Sequence, residues 1–193
     1  MLVSGATGNY GGAGVAVALA MGARCVVAPG RSTAALDDLV RRFGDRVRPV
    51  VLTGDEETDR ERMRAAAPGP IDLVLDLLPP GVDPVVVRAA AMTVREYGRV
   101  ILMGGFGMNG GEPLALAYPW IMRNSITVRG QWMCLPEANA MMIALVRAGL
   151  LDLRQFAVTE FGLDDVERAV AHAADEGGRF ALTVLRPGLG ASG

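Results

Sequence analysis

Three glycines at three-residue spacing, Gly5-x-x-Gly8-x-x-Gly11, stand near the start of the chain. The apolar pair Leu2-Val3 precedes them as a stub of strand, and a helical stretch rich in small apolar residues runs from Gly11 to Met21. A strand that ends in a tight turn and feeds a helix aims backbone N–H groups and the helix dipole at one point. Glycine lets the chain turn there and lets a pyrophosphate approach with no Cβ in the way. The chemistry this pattern offers is the holding of a dinucleotide by its phosphates. Gly12 and Gly14 serve equally well as packing glycines between helix and sheet.

The second strand carries the next informative position. An acidic residue about 20 positions past the turn holds the ribose hydroxyls in sites built for NAD. That count from Gly11 reaches Arg31, in Pro29-Gly30-Arg31-Ser32, and no acid occurs between Arg24 and Leu36. Gly30 leaves room, while Arg31 and Ser32 offer charge and a hydrogen bond to a 2′-phosphate. The expected cofactor is therefore NADP(H) in preference to NAD(H). Ser32 also suits the cap of the following helix. Asp76 ends the fourth strand and Gly104-Gly105 the fifth, both beside the place where the nicotinamide is expected.

The other reactive residues read as structural. Asp164 and Glu167 have the spacing of a capping box. His172, the only histidine, lies off its helix's apolar stripe and is expected to be exposed. Met141-Met142 reads as core. Cys25 and Cys134 show neither a disulfide framework nor a metal-ligand spacing, so no zinc or other metal is expected in this chain. No residue presents itself as catalytic.

These residues need a scaffold, and the pattern supplies one. Strands at 2–3, 24–28, 47–52, 71–75 and 99–103 alternate with helices at 11–21, 32–43, 56–66 and 83–96. Largely apolar strands separated by helices give an α/β fold, a doubly wound parallel sheet of the Rossmann type. Pro49 argues for an edge position for the third strand. A helix at 118–123, a strand at 126–131 and a helix at 136–148 complete a dinucleotide-binding domain over 1–150. Two further strands, 157–161 and 180–185, flank a helix at 165–175, and the tail over 188–193 is expected to fray.

Composition agrees. Of 193 residues, 51% are hydrophobic and 21% charged, which fits a globular chain. A net charge of −2 gives no footprint for nucleic acid. The apolar run from Gly11 to Ala23 falls short of the roughly 20 residues of a membrane helix. Unpaired cysteines and no visible signal peptide fit a cytoplasmic protein.

Five stretches resemble medium-chain dehydrogenase/reductases, the superfamily of alcohol dehydrogenases and quinone oxidoreductases. They are LVSGATGNYGGAGVAVALAMGA, GRVILMGGF, YPWIMRNSITVRGQW, ALVRAGLLDL and FGLDDVERAVAHAADEGGRFALTVL. The resemblance implies that Gly8, Asn9, Tyr10 and Gly11 meet the pyrophosphate and that Arg31 and Ser32 meet the adenosine ribose. It also implies that Leu77, Leu78, Met103 and Gly104 line the nicotinamide ribose and ring. Members of that superfamily carry an N-terminal β domain that forms most of the substrate cleft. The segment 151–187 resembles the part that returns to it, so the sequence reads as the second half of a longer enzyme acting on a small-molecule substrate, with this half inactive alone.

The opening also resembles atypical short-chain reductases and their NADP-sensing relatives, which leaves a non-catalytic regulatory module as the alternative. The tyrosine–lysine pair of catalytic short-chain enzymes is absent, because the chain has no lysine. A homodimer through strand 126–130 is expected, since that strand is β-branched, free of proline and outermost in the sheet. Trp120, Ile121 and Trp132 are expected to add to the interface, and apolar surface is expected around Phe156, Phe161 and Phe180.

Overall fold

The structure, a computed structural model, describes residues 1–188; the last five residues of the expected frayed tail lie outside that range. Six parallel strands form the main sheet: β1 (Leu2–Ser4), β2 (Val26–Gly30), β3 (Val47–Val51), β4 (Ile71–Asp76), β5 (Val94–Leu102) and β6 (Thr127–Gly130). Their order is β3-β2-β1-β4-β5-β6, the doubly wound arrangement. The order reverses between β1 and β4, and a crevice opens there beyond the carboxyl ends of the strands. Helices α1 (Asn9–Ala20), α2 (Thr33–Phe43), α3 (Glu56–Ala66) and α4 (Pro84–Ala91) make the crossovers.

Period-two alternation sends successive strand residues to opposite faces. Leu2 and Val27 join Met63, Val74 and Val100 in one core, under α3 and α4. Val3 and Val26 join Val15, Leu36 and Leu39 in the other, under α1 and α2. Every residue of β1 and β2 is buried, as strands covered on both sides require. Pro49 lies in β3 at one edge of the sheet, where an absent N–H interrupts least.

Helix α4 ends at Ala91, short of the expected 96. Thr93 turns its hydroxyl back to the Ala90 carbonyl at 2.7 Å and closes the helix. Its β-branched neighbour Val94 already belongs to β5. That strand is irregular at its start: Tyr97 adopts φ 57° and donates its N–H to the Asn124 carbonyl at 2.9 Å, and regular pairing with β4 resumes at Arg99. The sequence shows only the regular portion as strand.

Helices α5 (Tyr118–Arg123), α6 (Pro136–Arg147) and α7 (Val166–Asp175) follow, with β7 (Ala157–Phe161) and β8 (Ala181–Leu185) paired in a separate two-stranded parallel sheet. Several expectations fail in this region. Met141 and Met142 are exposed and α6 buries no residue, because nothing among the described residues packs over its apolar face. His172 is half-buried: its Nδ1 lies 2.9 Å from Thr183 Oγ1 and its ring packs on Phe161. Phe180 is buried in the core beside α2, not at the surface. Outside these failures, Trp120 and Ile121 are half-buried against the core of the other face and Trp132 is exposed. No capping box forms at α7; its cap residue is Asp165, which pairs with Arg168.

One buried carboxylate organises the entry to α3. Asp59 accepts from the Thr53 amide and hydroxyl, both at 2.7 Å, and from the Gly54 amide at 3.0 Å. Removing it strands these donors, so Asp59→Ala is expected to lower the unfolding free energy by about 1.5–3 kcal/mol in urea titrations. A change smaller than about 0.5 kcal/mol would show the loop to be held by other means.

Candidate functional site

The crevice is a cleft of about 800 Å³ at the carboxyl ends of β1, β2 and β4. Gly5, Gly8, Asn9, Tyr10 and Gly11 form one wall. Gly30 and Arg31 close one end, and Leu77 and Leu78 begin the opposite wall, which Pro79 to Asp83 and Val86 continue. The fold thus brings together residues from three strand ends far apart in sequence.

The turn is tight for identifiable reasons. Gly5 takes φ +85°, and a Cβ on it would stand 3.0 Å from the Leu77 carbonyl. The Gly8 amide closes on the Gly5 carbonyl at 2.9 Å, and the Gly12 amide on the Gly8 carbonyl at 2.8 Å. A side chain on Gly11 would overlap the Gly5 carbonyl outright. Gly8 caps α1 with no side-chain bond, and no acidic residue sits in the first turn. The open amides there and the positive end of the helix face the cleft without an internal counter-charge.

Gly30 has a second reason to be glycine, because a Cβ would lie 2.7 Å from Thr7 Cγ2. Arg31 is exposed at the mouth and has no ion-pair partner among the described residues. Ser32 does not line the cleft; its hydroxyl accepts from the Ala35 amide at 3.3 Å and caps α2. Met103 and Gly104 stand beside the cleft and do not line it. The Met103 amide donates to the Asp76 carbonyl at 3.1 Å, and the Gly105 amide to the Leu78 carbonyl at 2.8 Å. A Cβ on Gly104 would lie 2.5 Å from Asp76 Oδ2, so this glycine permits the two strand ends to meet.

Thr7 and Arg179, like the wall from Pro79 onward, fall outside the sequence-derived set and shape the site. Thr7 lines the cleft from within the turn. Arg179, 172 positions away, donates to the Thr7 carbonyl at 2.8 Å. No spacing in the sequence announces a contact of that separation. The Pro79-Pro80 doublet, by contrast, was a visible sign of a stiff wall after Leu78.

No zinc site fits these residues. Cys25 is buried at the amino end of β2, Cys134 is exposed and His172 belongs to the α7–β8 unit. Among the described residues no group of three or more His, Cys, Asp or Glu is placed to hold a metal ion. No described helix is long and apolar enough to cross a membrane. A shallower depression of about 580 Å³ lies at the opposite ends of the strands. Its arginines are already engaged, Arg64 with the Met92 carbonyl and Arg95 with Asp72.

Asp76 and Ser4, register partners on β4 and β1, are buried at the base of the cleft, which Ser4 lines. Neither Ser4 Oγ nor Asp76 Oδ1 has a well-formed hydrogen bond. Burial pushes the Asp76 carboxyl up to about 6; the nearby Leu78 amide and Ser4 hydroxyl offset this only in part. The ordinary value is 3.8, so between about pH 4 and 6 the folded protein holds a proton that the unfolded chain has lost. Stability from this group is therefore greatest below that window and falls as pH rises through it, by roughly 3 kcal/mol in all. Asp76→Asn removes the dependence. Urea titrations from pH 4 to 7 are expected to show the variant gaining on the wild type as pH rises, and a constant difference would contradict the assignment.

The zinc-binding dehydrogenase family model matches residues 11–148. No curated protein matches the sequence. Among solved structures, AibC covers 97% of this chain at 20% identity with a TM-score of 0.72. The alcohol dehydrogenase rspB from E. coli CFT073, complexed with NADH, covers 95% at 17% identity and 0.69. The crotonyl-CoA carboxylase/reductase AntE V350A, in complex with NADP, covers 95% at 15% identity and 0.68. Such identities establish the fold. The chain spans 49%, 51% and 48% of those three proteins, about half of each. With well over half of its residues matched by the family model, the chain belongs to the zinc-binding dehydrogenase family, within the medium-chain dehydrogenase/reductases, and carries that family's cofactor-binding half.

Proposed function

We propose that the cleft binds NADP(H), and that the chain is the cofactor-binding part of an oxidoreductase acting on a small carbonyl, alcohol or quinone. The observation that carries this is the Gly5–Gly11 turn, which presents the uncapped start of α1 to the cleft. The pyrophosphate lies against Gly8 and is received by the amides of Asn9, Tyr10 and Gly11. Leu77 and Leu78 pack against the nicotinamide ribose, with Met103 and Gly104 bordering the ring. When bound, the cofactor supplies the hydride chemistry, and this chain's residues orient it and keep water from the buried face. Family membership favours this over a non-catalytic module.

The choice of cofactor rests on Arg31. The two cofactor complexes among the similar structures contain NADH in one and NADP in the other, so they do not decide it. Arg31 has an unengaged guanidinium at the ribose end and no acid beside it to repel a 2′-phosphate. Two free cysteines, one of them buried, suit a cytoplasmic setting.

Strand β6 supports the homodimer proposal. It forms the sheet edge opposite β3 and, among the described residues, pairs as a strand with β5 alone, which leaves its outer edge open to another chain. A two-fold pairing needs only this one surface. Trp132, 73% exposed, lies just past it.

Fluorescence titration is expected to give tighter binding of NADPH than of NADH by roughly tenfold, the equivalent of one charged hydrogen bond. Arg31→Asp narrows or reverses the gap; equal curves for both cofactors in the wild type would remove the NADP preference. Light scattering is expected to show a dimer that Val128→Pro disrupts by deleting a backbone donor. A wild-type monomer, or a dimer indifferent to the proline, would rule this interface out.

A further inference from the structure

We propose that Arg179 is a positioning residue for the cleft: from behind the glycine turn it fixes the Thr7 carbonyl, and with it the amides that face the phosphates. This rests on the NADP(H) reading of the cleft. Arg179 does not itself line the cleft, whereas Thr7 does. Its Nη1 donates to the Thr7 carbonyl at 2.8 Å and its Nη2 to Asp38 Oδ2 at 3.0 Å. The side chain is only 16% exposed. Its stem fills the space that a Cβ on Gly12 would need, 2.6 Å from Arg179 Cγ, so the packing role foreseen for Gly12 is to admit this arginine.

The fixed carbonyl matters because of peptide planarity. Orienting the Thr7 C=O orients the Thr7–Gly8 peptide plane. The N–H of that plane closes the turn on the Gly5 carbonyl, and the turn in turn sets the Asn9, Tyr10 and Gly11 amides. Thr7 also abuts Gly30, so its position sets the distance from the turn to Arg31. The arginine is held firmly enough to do this. Burial alone would raise the Asp38 carboxyl, but hydrogen bonds from Arg179 and Arg42 overcome it and keep the carboxylate below its ordinary range.

The next residue anchors the same segment. Phe180 is buried and lies against Phe43 and Phe156, with ring centroids 5.8 and 5.4 Å away. The Arg42 guanidinium sits 4.5 Å above its ring. Phe180 holds φ 62°, a conformation that a bulky residue keeps only where its surroundings dictate it. Arg179 Nε is buried with no partner among the described residues, a cost that the two other bonds offset. The C-terminal segment thus reaches the turn through one anchored side chain.

The full chain tests this. Arg179→Met is expected to raise the Kd for NADPH roughly tenfold, as for one charged hydrogen bond. Adenosine 2′-phosphate reaches only the Arg31 end, so its Kd should stay within about twofold. Arg179→Lys, a point charge that cannot hold both partners, recovers part of the loss. Asp38→Ala weakens NADPH in the same direction, because the guanidinium loses its second anchor. Unchanged NADPH affinity in Arg179→Met, or an equal loss for adenosine 2′-phosphate, would overturn the proposal. So would tighter NADPH binding in Asp38→Ala, since that marks an arginine freed to touch phosphate directly. Should Arg179→Met fail to fold, Arg179→Lys and Asp38→Ala carry the same comparison. A wild type that binds no NADPH refutes the cofactor reading instead. Amide hydrogen exchange then decides the positioning: faster exchange at Gly8 and Gly12 in the variants supports it, and unchanged exchange overturns it.

Discussion

The carbonyl of Gly5 leaves no space for a side chain at residue 11. That single steric constraint draws α1 against the end of β1. The helix start then overlooks the point where the strand order reverses, between β1 and β4. Because Gly8 caps α1 without a side chain and the first turn holds no acid, the start of the helix offers its amides and positive dipole end to whatever occupies the cleft. The cleft, the wall from Leu77 to Asp83 and the arginine behind the turn are all arranged around this contact.

Charge is distributed to match. The mouth of the cleft carries Arg31, with no ion-pair partner among the described residues, while the floor holds an acid that burial keeps largely from ionising at mildly acidic pH. A positive rim suits an anionic ligand, and the floor becomes charged as pH rises through about 6. Placing a carboxylic acid under the floor weakens the fold near neutral pH. The same acid lies where β4 and β5 converge, against Gly104.

Much of this was legible in sequence. The glycine turn, the absence of an acid near Arg31 and the alternation of strands with helices each have a local cause, and local causes leave local patterns. Pro49 marked its strand as an edge for the same reason. The failures have non-local causes. Met141 and Met142 look like core because hydrophobicity does not say whether a partner exists. His172 gains its contacts from Phe161 and Thr183 on neighbouring strands. Helix α4 stops early because β5 begins with an irregularity that periodicity hides. Ser32 suits both a helix cap and a ribose contact, which are compatible, and its geometry shows the cap. Arg179 escaped because its partners, Thr7 and Asp38, are far from it along the chain.

The central claim is that a dinucleotide lies across the β1/β4 crevice with its phosphates on the glycine turn. Titrating NADPH into isotopically labelled protein and following backbone amide resonances tests it residue by residue. Saturable shifts concentrated at Gly8, Asn9, Gly11 and Arg31 are predicted. Shifts centred instead on the depression around Arg64, Arg95 and Trp120, or no saturable shifts at all, would contradict it.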